Sequence, residues 1–322
     1  MKEITVKEML DDRGEALHLE VLNQGQLERK IVIADANRPG LALTGYMGYF
    51  LWERIQIIGI TETGYLETLD PKARIEALGR ITAHQIPCII VTKKLEIHPE
   101  LLAQARERGV PLFQTDMDTT DFIHKLSSYI DNRLAPVVSV HGTLVDVYGV
   151  GLLYTGDSGI GKSECALDLV ERGHRLVADD VVMIKRRGSG MLIGYGNQTL
   201  QHHMEIRGVG IIDLTSMFGI RSMRMRKRVE VEVRLKRWSD DEDYERLGLE
   251  EKPTAILGVE IPLVTVPVVP GKNISVISEV IAMNHLLKLC GYRSAEEFNK
   301  RLLDSIQKKF EAARYDEDDD VE

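Results

Sequence analysis

Residues 156–163 read Gly-Asp-Ser-Gly-Ile-Gly-Lys-Ser, which fits G-x-x-x-x-G-K-[ST] without a gap. Nothing else in the chain restricts the fold as much. Such a run must follow a strand and open a helix, because its use depends on both. Glycines let backbone N–H groups turn inward around phosphate oxygens. The helix start then adds unpaired N–H donors and roughly half a positive charge. "GLLYT" before the run reads as a strand, and "SECALDLVERG" after it as a helix with Ala166, Leu169 and Val170 on one face. The segment therefore points to nucleotide or phosphate binding. Gly156, Asp157, Ser158, Gly159, Ile160, Gly161, Lys162 and Ser163 form the candidate cradle. Lys162 would reach the terminal phosphates, and the Ser163 hydroxyl would ligate Mg²⁺.

A phosphate loop does not by itself separate kinase, ATPase and GTPase. No N-K-x-D occurs, so nothing selects guanine. Phosphoryl transfer also needs a group to orient or deprotonate the nucleophile. Asp179 and Asp180 end a short strand in "HRLVADDVVMI". Neighbouring strand residues face opposite sides, so only one can point at the loop, and the spacing does not say which. Glu205 lies in "QHHMEIRGVGIIDL", an apolar setting beside Arg207 and two close glycines, which favours a metal or site role. His202 and His203 read as structural.

The remaining chain is long enough for two domains: 322 residues, 43% of them apolar. In the first part "RKIVIAD" (29–35) and "IPCIIVTKK" (86–94) read as buried strands, while 70–84 and 99–109 read as helices. Asp70 caps the first helix and Pro99 opens the second. "NRPGLALTGY" (37–46) reads as a loop that demands no chemistry. Past Pro136 the texture becomes β-rich. "TLVDVYG" and "VGLLYTG" suggest a hairpin turning through Gly149–Gly151. "KRVEVEVRLKRW" (227–238) alternates with period 2, as a solvated sheet edge would. Ser294 with Glu297 has capping-box spacing at the start of a closing helix. The expected layout is an α/β chain: an N-terminal α/β domain of uncertain role over 1–132, a catalytic domain over 133–312 and an acidic tail over 313–322.

A net charge of −9 argues against a general nucleic-acid or anionic-membrane binder. Three scattered cysteines, Cys88, Cys165 and Cys290, show no metal-ligand spacing and suit a reducing cytoplasm. The charged N-terminus lacks the apolar core of a signal peptide. The expected setting is cytoplasmic.

With these pieces in place the chain resembles the bacterial HPr kinase/phosphorylase family. The resemblance rests on "NRPGLALTGY", "SVHGTLVDVYGVGLLYTGDSGIGKSECALDLVERGHRLVADD", "MEIRGVGIIDL" and "PVVPGKN", in order and at the family's spacing. It covers nearly all of the chain except the acidic tail. It implies ATP- or pyrophosphate-dependent phosphorylation of a serine of HPr, the phosphocarrier of the sugar phosphotransferase system. It also implies the reverse, in which phosphate attacks phosphoserine-HPr and pyrophosphate leaves. A catalytic domain like that of phosphoenolpyruvate carboxykinase, a homohexamer and a part in regulating carbon metabolism come with it. Carried onto this sequence, the resemblance gives catalytic roles to His141, Lys162, Asp180 and Arg246. Asp180 becomes the acid/base, and Ser163 and Glu205 the Mg²⁺ ligands. Segment 204–213 would serve both directions, and 267–272 mainly dephosphorylation.

Two rival readings remain. One is a small-molecule phosphate-loop kinase or carboxykinase-like enzyme. The other is a nucleotide-dependent regulator binding nucleic acid through the basic run 221–238, which the interleaved Glu230 and Glu232 disfavour.

Overall fold

The structure, a computed structural model, describes residues 2–188, 190–197, 203–239, 252–269 and 271–318, with side chains as far as 306. It is a mixed α/β protein. The chain forms two compact units, Met1–Pro136 and Val137–Glu322.

The first unit is built on a five-stranded sheet in the order Glu20–Asn23, Leu112–Gln114, Ile89–Val91, Ile55–Ile58, Ala36–Asn37. The last four strands are parallel, and the first is antiparallel to its neighbour. Parallel strands need helical crossovers, so both faces are covered and the three central strands are buried and mostly apolar. On one face Ile55, Ile57, Cys88, Ile90 and Phe113 meet Phe122, Leu126 and Ile130 of helix Thr119–Leu134. On the other, Ile58, Ile89, Val91 and Leu112 meet Leu78 and Ile81 of helix Pro71–Thr82 and Leu101 of helix Pro99–Glu107. Asp70 caps the first of these two helices, its side chain accepting from Ala73 N at 2.9 Å. Of the strand expected over 29–35, only Lys30–Ile31 pairs, with Ile4–Thr5. The next residues must carry the chain into the larger sheet at Ala36–Asn37, so the ladder stops early.

The second unit has a six-stranded sheet ordered Arg175–Ala178, Thr143–Val147, Val150–Thr155, Val231–Arg237, Val259–Val268, Lys252–Ile256. Helices Lys162–Glu171 and Ile274–Leu289 cover one face, around Val145, Leu152, Tyr154, Leu169 and Val233. On the opposite face Leu144 and Leu153 pack with Val182, Ile184 and Leu192. These last three belong to a four-stranded antiparallel sheet, ordered Lys227–Arg228, Met191–Tyr195, Val181–Arg187, Val137–His141. The hairpin expected at 143–155 is present, but it turns at Tyr148-Gly149, both at positive φ (51° and 84°), and Gly151 lies within the second strand.

Two further expectations change. Val231–Arg237 is an interior strand, parallel to both neighbours, and no solvated edge. Its Glu232 is buried yet satisfied, because Thr155 Oγ1 donates to it at 2.7 Å and Arg234 pairs with it at 2.8 Å. The closing helix, Ser294–Asp318, takes Ser294 as its first residue, and Glu297 N bonds back to Arg293 O, so Ser294 does not sit before the helix as a cap. Among the described residues no single helix is long and apolar enough to cross a membrane.

Candidate functional site

Strand Val150–Thr155 is buried up to Thr155, where the chain leaves the sheet. The turn that follows uses positive φ at Gly156 (133°), Gly159 (74°) and Gly161 (102°), values that side chains rarely tolerate. A Cβ at Gly156 would run into the Leu235 carbonyl of the neighbouring strand, and one at Gly159 into the Arg207 guanidinium. Gly161 is the helix N-cap and offers no side chain, so the first N–H groups of helix Lys162–Glu171 have no side-chain cap. Strand, glycine loop and helix follow in the order the sequence demanded.

Lys162 is only 7% exposed. Its Nζ donates to the carbonyls of Gly156 and Asp157, both at 2.9 Å. The ammonium is thus folded against the loop itself. A phosphate oxygen offers it a charged acceptor in place of two neutral ones, which is the stronger bond.

Ser163 points to a carboxylate. Its Oγ donates to Asp179 Oδ1 at 3.1 Å, and Thr143 Oγ1 donates to the same oxygen at 2.6 Å. Asp179 Oδ2 is buried, and among the described residues no group donates to it. Burial pushes the Asp179 carboxyl above its ordinary range, opposed by the Thr143 and Ser163 hydrogen bonds. A buried carboxylate oxygen lacking a donor beside a hydroxyl suits a cation.

Asp180 sits differently. It is exposed at φ 63°, and its carbonyl accepts from Gly142 N at 3.0 Å. The strand pair that begins there sets His141 opposite Val181. His141 is likewise exposed. So the two acids divide: Asp179 turns in against Ser163, and Asp180 faces solvent next to His141 in the ladder.

Glu205 lies on strand His203–Ile206, paired across to Ile211 of Gly210–Asp213. Met204 anchors this hairpin in the core that holds Ile160, Cys165 and Leu169. Glu205, one residue on, is exposed on the opposite side. Arg207 reaches the glycine loop, its Nη2 3.4 Å from Ser158 Oγ. Lys272 Nζ donates to Pro267 O at 3.1 Å. Arg246, His202 and Pro270 lie outside the described residues. Thr143 and the Thr155–Glu232–Arg234 network escaped the sequence reading, since neither has a motif. Arg207 had a signal in its closeness to the Gly-x-Gly of "RGVG".

Among the described residues no three or more His, Cys, Asp or Glu side chains gather as a metal cage. That does not conflict with Mg²⁺, which keeps several waters and takes one or two protein oxygens together with phosphates. The Ser163 hydroxyl and the donorless Asp179 Oδ2 beside it are oxygens of the kind such an ion takes, and Glu205 is an exposed carboxylate on the neighbouring hairpin.

Known proteins resemble this chain over nearly its whole length. The family described as HPr Serine kinase C-terminal domain matches residues 132–302, and that described as HPr Serine kinase N terminus matches residues 4–130. A HPr kinase/phosphorylase of Chloroherpeton thalassium is 50% identical over 292 residues, 90% of this chain and 86% of that protein. One from Alkaliphilus metalliredigens is 44% identical, covering 96% of this chain and 99% of its own. One from Brevibacillus brevis is 46% identical over 87% of this chain and 90% of that protein.

Proposed function

The chain belongs to the HPr kinase/phosphorylase family, and from that premise we propose that it phosphorylates a serine of HPr and also reverses the transfer. The donor is ATP or pyrophosphate. In the forward direction the serine Oγ attacks the terminal phosphorus, the bond to the bridging oxygen breaks, and Asp180 takes the serine proton. In reverse, an oxygen of inorganic phosphate attacks phosphoserine, the P–Oγ bond breaks, and Asp180 returns the proton as pyrophosphate leaves. One carboxylate serves both directions by microscopic reversibility.

The observation that carries this reading is Lys162 folded over a glycine loop at an uncapped helix start. Backbone N–H groups and one ammonium there neutralise a terminal diphosphate, and none of them reads adenosine. That supports pyrophosphate as well as ATP. Ser163 and Glu205 would hold Mg²⁺, with Asp179 fixing the Ser163 hydroxyl; the ion supplies charge neutralisation on the phosphates. Exposed Asp180 is open to a protein substrate, and His141 beside it would orient or tune it. Arg246 would add positive charge at the transferring group. Segment 204–213 lies against the loop through Met204 and Arg207, which suits a part in both directions.

Further parts of the proposal are a phosphoenolpyruvate-carboxykinase-like catalytic domain, a cytoplasmic setting, a part in regulating carbon metabolism and a homohexamer. Helix Ile274–Leu289 leaves Val276, Val280, Met283 and Leu287 exposed, an apolar face that supports self-association. Incubating the protein with HPr and ATP, then with pyrophosphate, and phosphoserine-HPr with phosphate, tests the function directly. Phosphate transfer to small metabolites but not to HPr would sink it.

A further inference from the structure

Strand Val150–Thr155 runs parallel to Val231–Arg237, and that strand runs parallel to Val259–Val268. All three therefore end at one edge of the sheet. The glycine loop leaves the first of them, and the turn carrying Lys272 leaves the third. Two strand spacings, roughly 10 Å, separate the exits. Lys272 is stored there much as Lys162 is, its Nζ turned back onto a nearby carbonyl, Pro267 O, at 3.1 Å. Its backbone N–H bonds Val269 O at 3.2 Å and closes the turn.

The helix behind that turn is fastened to the glycine loop's own helix. Asn273 caps helix Ile274–Leu289, accepting from Val276 N at 3.0 Å. Ser275, three residues past Lys272, donates its hydroxyl to Asp168 Oδ2 of helix Lys162–Glu171. Ser278, one turn on, places its Oγ 3.9 Å from Cys165 Sγ. Both serines and Cys165 are buried. The buried Tyr154 hydroxyl, two residues before the glycine loop, lies near enough to Cys165 and Ser278 for both to shift its acidity.

Around this polar patch the shared core is apolar, with Leu169, Ile277, Ile281 and Ala282. Apolar contacts are non-directional and permit sliding. A buried, satisfied hydrogen bond admits one register. Ser275 is not required as a cap, because Asn273 already serves. Its bond to Asp168 instead fixes where the helix starts, and so where Lys272 stands.

We propose that Ser275 and Asp168 are positioning residues of the phosphate site: their hydrogen bond holds the Lys272 turn against the glycine loop, so that its ammonium reaches the terminal diphosphate. This role rests on the phosphate site proposed above. The test is calorimetric binding of pyrophosphate with Mg²⁺ to the full chain, with melting temperatures measured alongside. Ser275→Ala should weaken binding about tenfold, within what misplacing a group by an ångström costs. Lys272→Ala should weaken it as much. The double variant should bind no worse than Lys272→Ala alone, since one residue acts through the other. Asp168→Asn, whose amide oxygen still accepts from Ser275, should bind like the unaltered protein, and Asp168→Ala should match Ser275→Ala. A purely structural role would move the melting temperature only, so unchanged affinity in Ser275→Ala overturns the proposal. Losses that add in the double variant also overturn it. Lys162→Ala tells this failure from that of the underlying site. Weakening with Lys162→Ala but not with Ser275→Ala discards the Ser275–Asp168 role alone. Weakening with Ser275→Ala and Lys272→Ala but not with Lys162→Ala keeps that role and discards Lys162 as a phosphate ligand.

Discussion

Asp179 and Ser163 share one short hydrogen-bonded unit with Thr143: both hydroxyls donate to a single carboxylate oxygen, at 3.1 and 2.6 Å. Asp180, the next residue, makes no such contact and faces solvent. The two acids should therefore fail differently when altered. Asp180→Asn should keep nucleotide affinity and cost roughly 10²–10⁴ in rate, the usual size of general acid–base catalysis. Asp179→Asn should instead raise the Mg²⁺ concentration needed for half-maximal rate. Steady-state kinetics against Mg²⁺ for both variants separates these roles; matching profiles would show that the acids act as one.

Lys162→Ala should abolish phosphorylation and phosphorolysis together, because both pass through the same crowded anionic transition state. Assays in both directions check this. Retention of either one would remove Lys162 from the mechanism.

The glycines of the loop should divide by what stands beside them. Gly156 faces a backbone carbonyl that has nowhere to go, whereas Gly159 faces the movable end of Arg207. Gly156→Ala should lower the melting temperature of the protein. Gly159→Ala strains φ as well, but its main effect should be displacement of Arg207 and loss of activity. Calorimetry alongside kinetics tests the split.

Glu279 supplies a pH signature. Its Arg172 hydrogen bond, and then that of His174, hold the carboxyl down at about 2 against an ordinary 4.5. A carboxylate with a depressed folded pKa contributes stability above its unfolded value and loses it as pH falls through the folded one. Glu279→Gln should melt lower than the unaltered protein at pH 7, and the gap should close between about pH 4.5 and pH 2. A gap unchanged across that window would show that the ion pairs contribute nothing.

Lys272→Ala should slow phosphorolysis more than phosphorylation, if segment 267–272 serves mainly the reverse reaction. Equal losses would contradict that division.

The strand, glycine loop and helix were legible because such a turn forces local sequence: three glycines at positive φ, bracketed by an apolar strand and an amphipathic helix. The helix at Pro71–Thr82 was legible for a similar reason, since Asp70 and Pro71 mark its start. What stayed hidden depended on partners distant in sequence. Glu232 looks like a wet residue in an alternating strand, until Thr155 and Arg234 are seen to satisfy it inside the sheet. Spacing left open which of Asp179 and Asp180 faces the loop; the resemblance alone gave Asp180 its acid/base role, and it is the structure, with positive φ at Asp180, that turns Asp179 to Ser163.

The storage of Lys162 against its own loop also bears on chemistry aimed at amines. An ammonium that is 7% exposed and tied to two carbonyls is shielded from acyl donors and from aldehyde reagents. Covalent labelling should therefore mark the surface lysines and pass this one by. Acetylation at this position would therefore be a poor brake on a reaction that ran through Lys162.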